Sequence, residues 1–155
     1  LWIIDNTSAL TTYGEINTWD VSMITDMSFL FQPNPSFNDD ISNWDVSNVI
    51  YMGAMFENAS SFNQDISNWD VSNVIDMSFM FKNASSFNQD IGDWKVSSVT
   101  NMELMFALSS VFNRDLGDWN FSSVTNFNAM FFGASALSNS NTSSKLNYQQ
   151  SYCPD

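Results

Sequence analysis

The residues best able to do chemistry in this sequence are carboxylates set at a fixed interval. Asp40, Asp65, Asp90 and Asp115 recur every 25 residues, each two positions after an asparagine: Asn38, Asn63, Asn88 and Asn113. Rows of Asp and Asn oxygens are a donor set that Ca²⁺ accepts, because it collects roughly six to eight hard oxygen ligands. The spacing, however, matches neither an EF-hand loop nor the nonapeptide calcium repeat. The plainer reading is that each Asp accepts backbone N–H bonds in the bend before the following Ile or Leu. No cofactor is expected, with Ca²⁺ on this row as the single alternative.

A second polar row is Asp20, Asp45, Asp70, Lys95 and Asn120. Each sits between a Trp and the apolar residue two positions further on. Thr18, Asn43, Asn68, Asp93 and Asp118 precede the Trp, and Ser22, Ser47, Ser72, Ser97 and Ser122 follow the apolar residue. Brought onto one face, these side chains would form an acidic stripe able to hold a protein, a glycan or a cation. The alternative is a solvated face with hydrogen-bonded Asp, Asn and Ser ladders, which is the common fate of exposed charge rows. Asn6, Asn58, Asn83, Asn120 and Asn141 each open an Asn-x-Ser/Thr triplet. Asn58 and Asn83 hold equivalent positions, so glycans there would stand in a row. A chain rich in Asn and Ser also generates such triplets by chance.

Nothing points to catalysis. The chain has no His, so the side chain most used for proton transfer near neutral pH is missing. There is no Ser-His-Asp or Cys-His arrangement, no zinc-ligand cluster and no Gly-rich phosphate loop. Asp39 and Asp40 are adjacent carboxylates on a repeat bend, which is weak ground for acid–base work. The chain is read as a non-enzyme.

What must position the polar rows is a repeat. Trp19, Trp44, Trp69, Trp94 and Trp119 lie 25 residues apart. Val21, Val46, Val71, Val96 and Phe121 keep the same register, as do Met27, Met52, Met77, Met102 and Phe127. So do Phe31, Phe56, Phe81, Phe106 and Phe131, and Phe37, Phe62, Phe87 and Phe112 with Leu137. One copy cannot bury its own Trp, Phe and Met side chains, whereas stacked copies bury them against their equivalents. Within a copy the apolar gaps follow neither a sustained helix period nor a sustained strand period. The Trp-x-Val step suits a short strand with both side chains inward, pairing in parallel with the next copy at about 4.8 Å. Met77, Met80, Phe81 and Ala84 suit one side of a helical turn or two. With only five Gly, side-chain hydrogen bonds from Asn, Asp and Ser must support most bends.

Composition narrows the class further. The 155 residues carry 17 acidic and 4 basic side chains, a formal net charge of -13. Such a chain repels nucleic acid and anionic lipid, since both are held through Lys and Arg. Its longest apolar run, Leu104 to Leu108, is far short of a membrane span. Neither nucleic acid nor the membrane interior is expected as a partner. Cys153, the single cysteine, cannot build an internal disulfide framework. The start at Leu1-Trp2-Ile3-Ile4, without Met, reads as an internal piece of a longer precursor.

The run Phe62-Asn63-Gln64-Asp65-Ile66-Ser67-Asn68-Trp69-Asp70-Val71-Ser72 to Met77-Ser78-Phe79-Met80-Phe81 closely resembles the BspA-like surface-protein repeat, a relative of the leucine-rich repeats. The resemblance covers residues 13–137. It implies a right-handed, leucine-rich-repeat-like solenoid of class α/β. Each 25-residue turn would hold one short parallel β-strand, with a short helical segment on the opposite side. It also implies export to a cell surface, and roles in adhesion or in binding extracellular proteins. The first copy, Tyr13-Gly14-Glu15-Ile16, departs from the pattern by lacking the leading Phe-Asn. In similar proteins such a start follows a short capping helix.

The expected organisation is an N-terminal capping segment at 1–12, a five-repeat solenoid at 13–137 and a Ser/Asn/Gln-rich tail or linker at 138–155. The expected function is a secreted or cell-surface recognition or adhesion module that binds protein or glycan through its polar face. The alternative is a structural scaffold or fibre subunit whose neighbours dock at the uncapped end.

Overall fold

The structure, a computed structural model, describes residues 4–138. Cys153, the Asn141 triplet and all of the 138–155 segment except Ser138 lie outside the described residues. Helix α1, Asn6–Tyr13, forms within and just beyond the expected capping segment. Asp5 caps it, accepting from the Ser8 backbone N–H at 3.0 Å. It ends where Gly14 adopts φ 75° and returns its N–H to the Leu10 carbonyl at 3.0 Å. A 3-10 turn at Ile16–Thr18 then opens the first copy.

The copies stack, but not through the elements expected. Among the described residues there are one α-helix, one 3-10 turn and no β-strand. The leucine-rich-repeat-like α/β solenoid, with one strand per turn and a helical segment opposite, is therefore overturned. Neighbouring copies meet instead in single parallel bridges that link Asp26, Tyr51, Asp76, Asn101 and Asn126 in succession. These bridges fall seven residues after each Trp, not at the Trp-x-Val step. The amides on either side of that step turn back on their own chain. Trp69 donates its N–H to Ile66 at 3.2 Å and Val74 donates to Val71 at 3.0 Å, and the other copies repeat both turns. An extended pairing run has no room between them.

The segment expected to be helical departs for a related reason. The N–H groups of Met77, Phe79, Phe81 and Asn83 donate to the carbonyls of Asn101, Glu103, Met105 and Ala107 in the next copy, at 2.7–3.0 Å. Met80, Lys82 and Ala84, lying between them, donate three residues back to Met77, Phe79 and Phe81 at 3.0–3.3 Å. A helix would turn every amide along its own axis. Here the chain alternates between a tight turn and a neighbour, so neither a helix nor a ladder propagates.

That alternation requires left-handed backbone. Phe29, Ala54, Phe79, Leu104 and Ala129 share one repeat position and have φ of 50–61°. Asn58, Asn83, Leu108 and Gly133 share another, with φ of 57–69°. Such a φ costs an L-residue about 1–2 kcal/mol, so the strain is held by the hydrogen bonds on both sides of it.

The inward residues read from the sequence do form the core. Met77, Met80, Phe81 and Ala84 are fully buried, as are their equivalents in the second copy, Met52, Met55, Phe56 and Ala59. Two phenylalanines stack within each copy, Phe56 on Phe62 at 3.9 Å and Phe81 on Phe87 at 4.0 Å. Each also stacks on its equivalent in the next copy, Phe56–Phe81 at 5.6 Å and Phe62–Phe87 at 5.9 Å. Aromatic pairs of this kind contribute about 0.5–1.5 kcal/mol beyond burial. Trp44, Trp69, Trp94 and Trp119 are buried and Trp19 is partly so. Their indole N–H groups tie copies together: Trp44 donates to the Ile16 carbonyl at 2.8 Å, Trp94 to Ile66 at 3.1 Å and Trp119 to Ile91 at 2.9 Å.

Two stability outcomes follow from this geometry. Trp94→Phe keeps a ring but removes one of the two hydrogen bonds that the Ile66 carbonyl accepts, leaving only the Trp69 N–H, so urea unfolding should show a loss of about 0.5–1.5 kcal/mol. A loss below the lower figure would mean that the indole N–H is not a tie between copies. Ala54→Gly, at φ 55°, should be neutral or stabilising by up to about 1 kcal/mol. Ala84→Gly, at an ordinary φ, should destabilise; equal effects at the two positions would contradict the assigned strain.

Candidate functional site

The polar row Asp20, Asp45, Asp70, Lys95 and Asn120 is exposed in all five copies. Thr18, Asn43, Asn68, Asp93 and Asp118 are exposed one residue before each Trp. The register brings these side chains onto one ridge beside the Trp column, because each Trp points inward and fixes its neighbours outward. Asp45 Oδ1 accepts from the Ser47 backbone N–H at 3.0 Å and from the Ser47 hydroxyl at 2.6 Å. Asp20 does the same with Ser22 at 3.0 and 2.6 Å. Asp70 accepts from the Ser72 N–H at 3.0 Å, and Asn120 from the Ser122 N–H at 3.1 Å.

These bonds hold the carboxyls of Asp20, Asp45 and Asp70 below the ordinary value of 3.8, chiefly through the serine hydroxyl and next through the serine amide. The Asp20 charge opposes this at Asp45, and the Asp45 charge opposes it at Asp70. The first three copies of the ridge therefore carry fixed negative charges, and Lys95 and Asn120 stand in the fourth and fifth.

Asp40, Asp65, Asp90 and Asp115 each turn one oxygen onto their own bend. They accept from Ser42, Ser67, Gly92 and Gly117 N–H at 2.9, 2.9, 3.2 and 2.8 Å. Among the described residues no three His, Cys, Asp or Glu side chains come together in a group that could hold a metal ion. The calcium reading gains no converging ligand set from this row. Of the glycosylation candidates, Asn83 is exposed but donates its side-chain N–H to Asn58 Oδ1 at 2.9 Å, and Asn58 is half-buried. Asn120 is exposed within the ridge.

Two features escaped the sequence reading. Asn38, Asn63, Asn88 and Asn113 form a ladder in which each Oδ1 accepts from the backbone N–H 25 residues later. The distances are 2.8 Å at Asn63, 2.9 Å at Asn88, 3.0 Å at Asn113 and 3.0 Å at Ser138. The other is a groove of about 540 Å³ lined by Met23, Thr25, Asn48, Ile50, Asn73 and Ile75. Its lining residues lie three or five positions along the chain from the ridge aspartates Asp20, Asp45 and Asp70. Asn48 and Asn73 wall it by donating to the Ser22 and Ser47 carbonyls at 2.9 and 2.8 Å. The 25-residue register of Thr25, Ile50 and Ile75 was the available signal. An apolar row looks like core until burial separates it.

Because the ridge carboxyls are depressed in the folded chain, the unfolded chain binds more protons near 3.8 and stability must rise with pH through that window. The urea midpoint should be flat well above pH 3.8 and fall as the pH drops below it. Asp45→Asn keeps an acceptor for the Ser47 N–H, as Asn120 does for Ser122. It should leave the neutral-pH midpoint nearly unmoved and make the acid limb shallower. An unchanged acid limb would remove Asp45 from that account.

The family model described as "Mycoplasma protein of unknown function, DUF285" matches residues 3–109 and again residues 70–152. The two matches overlap, as tandem copies allow. No curated protein and no solved structure matches the chain.

Proposed function

We propose that this chain, which belongs to the DUF285 family, is a non-catalytic recognition module of a secreted or cell-surface protein. It grips a protein or a glycan through the acidic ridge and the groove beside it. The observation that carries this reading is the repetition of one exposed polar position in every copy, an aspartate in the first three, on a backbone tied by hydrogen bonds within and between copies. Asp20, Asp45 and Asp70 present acceptors at a fixed interval, which suits a partner with its own regular spacing. Binding then costs little ordering of the module itself. The groove adds partly apolar walls at Ile50 and Ile75, where a nonpolar sugar face or an aliphatic side chain can rest.

Charge favours a cationic or polyhydroxylated partner over nucleic acid or an anionic membrane. No helix among the described residues is long and apolar enough to cross a membrane. The resemblance to BspA-like repeats supports an exported protein with an adhesive role, since adhesion and binding of extracellular proteins are what that family implies.

The full chain should be tested on a glycan array and on immobilised basic extracellular proteins. A variant carrying Asp20→Asn, Asp45→Asn and Asp70→Asn removes three charges and keeps an acceptor for each bend. The expected result is binding by the native chain that weakens with added salt and falls at least about tenfold in the variant, equivalent to about 1.4 kcal/mol. Binding that the triple variant retains, or no binding to either surface, would defeat the proposal.

A further inference from the structure

One repeat position holds Phe29, Ala54, Phe79, Leu104 and Ala129, all in left-handed backbone. Phe29 is 60% exposed and Phe79 is half-buried. Ala54 belongs to the copy between them, and Gly53 before it stands where those copies have Ser28 and Ser78. The second copy thus lacks both a ring and a hydroxyl that its two neighbours carry. What remains is a cleft of about 280 Å³ with Phe29 and Phe79 on its walls and Gly53 and Ala54 between them. A ring at position 54 would fill it.

Two polar groups on this cleft are unmet. Ser78 is 8% exposed, and its hydroxyl lies 3.5 Å from where a Cβ on Gly53 would stand. Among the described residues no hydrogen bond involves that hydroxyl. Ser109, also buried, instead donates its hydroxyl to the Phe81 carbonyl at 2.5 Å. Asp76 Oδ1 accepts from the Ser78 N–H at 2.8 Å. Its Oδ2 lies 3.8 Å from the same Gly53 position, and no donor among the described residues reaches it. A buried polar group without a partner is a cost that a ligand can remove.

The surroundings already hold a cation. Lys82 Nζ lies 2.9 Å from Glu57 Oε1 and 5.3 Å from the centre of the Phe79 ring. The Gln32 side-chain N–H takes the other Glu57 oxygen. Glu57 is therefore satisfied and neutralises Lys82, which leaves Asp76 as the carboxylate open to an incoming group.

We infer that this cleft takes the guanidinium of an arginine side chain from a protein partner. A guanidinium is flat, so it enters the layer that the missing ring would occupy, and it stacks on aromatic faces. It also carries several N–H donors, which meet Asp76 Oδ2 and Ser78 Oγ together. A lysine ammonium reaches the carboxylate but does not fill the layer, and a phenyl ring fills the layer but meets neither polar group. The formal charge of -13 draws a cationic partner. The volume falls just short of the roughly 300 Å³ at which small-molecule pockets begin, which suits a single side chain. The cleft shares no residue with the acidic ridge or with the groove at Ile50 and Ile75, so it stands apart from the function proposed above.

NMR titration of the ¹⁵N-labelled full chain with acetyl-Gly-Arg-Gly-amide tests this, with the lysine and citrulline peptides as controls. The arginine peptide should move the Gly53, Ala54 and Ser78 amides and bind at least about tenfold more tightly than either control. Ala54→Phe gives the second copy the residue that the first and third carry. Asp76→Asn gives the third the residue of the fourth and fifth, where Asn101 and Asn126 close the same bend. Both should fold as the native chain does, which melting curves verify. Ala54→Phe should abolish binding, and Asp76→Asn should weaken it by about tenfold or more. Gly53→Ser, whose Cβ meets only ordinary contacts of 3.5 Å and beyond, should also weaken it and serves if Ala54→Phe misfolds. Amides that stay unmoved, equal binding of the lysine peptide, or binding retained by the cleft variants would overturn the inference. So would methyl glucoside moving the same amides as strongly as the arginine peptide. At physiological salt the triple Asn ridge variant should bind the arginine peptide as the native chain does, so the two readings fail separately.

Discussion

The structure depends on how the backbone amides of one short segment are shared out. Between Phe79 and Ala84 each N–H goes either three residues back or across to the neighbouring copy, in strict alternation. The same division recurs in the second and fourth copies and fixes both the shape of a copy and its distance from the next. Regular secondary structure would use these groups in one direction only. Using them in two directions gives a chain that is bonded almost throughout yet has no strand among its described residues. The left-handed residues are the local cost of that arrangement, and they persist because the amides on either side are held in two directions.

Side chains reinforce the same spacing by three separate routes. The phenylalanine pairs stack at 5.5–5.7 Å from copy to copy in the row from Phe31 to Phe131. The indole N–H groups reach back across a copy to an isoleucine carbonyl. The Asn38-to-Asn113 ladder does the same on the outside. A Trp at that position is therefore more than a large apolar side chain, because Phe would remove the hydrogen bond between copies and leave the carbonyl only its local backbone donor. The polar ridge inherits its regularity from these ties: the spacing of Asp20, Asp45 and Asp70 is the spacing of the stacked rings beneath them.

The aspartates show how one residue type serves two needs. Each ridge Asp turns one oxygen inward to close its own bend with a serine. That bond also keeps the carboxyl ionised, so the structural role prepares the charge that faces outward. Asp40, Asp65, Asp90 and Asp115 form bends of the same kind without meeting a third acidic group among the described residues. A regular row of carboxylates on a repeat is therefore not by itself a metal site. Convergence is what calcium needs, and translation along a stack keeps equivalent oxygens apart.

The repeat, its register and its buried set were legible in the sequence, since Trp69, Val71, Val74, Met77, Met80, Phe81, Ala84 and Phe87 all lie in the core. So was the use of Asp, Asn and Ser in place of glycine to hold the bends, because a side-chain acceptor two residues before an amide is a local property of the chain. What the sequence could not supply was the direction of the amides. Gaps of three around Met77 fit a helix equally well, and the Trp-x-Val step fits a strand equally well. The outcome was decided by whether each N–H found its partner on its own chain or on the next copy. That choice exists only once two copies lie side by side, which is why tertiary structure alone determined that the described residues build a stack of turns without strands.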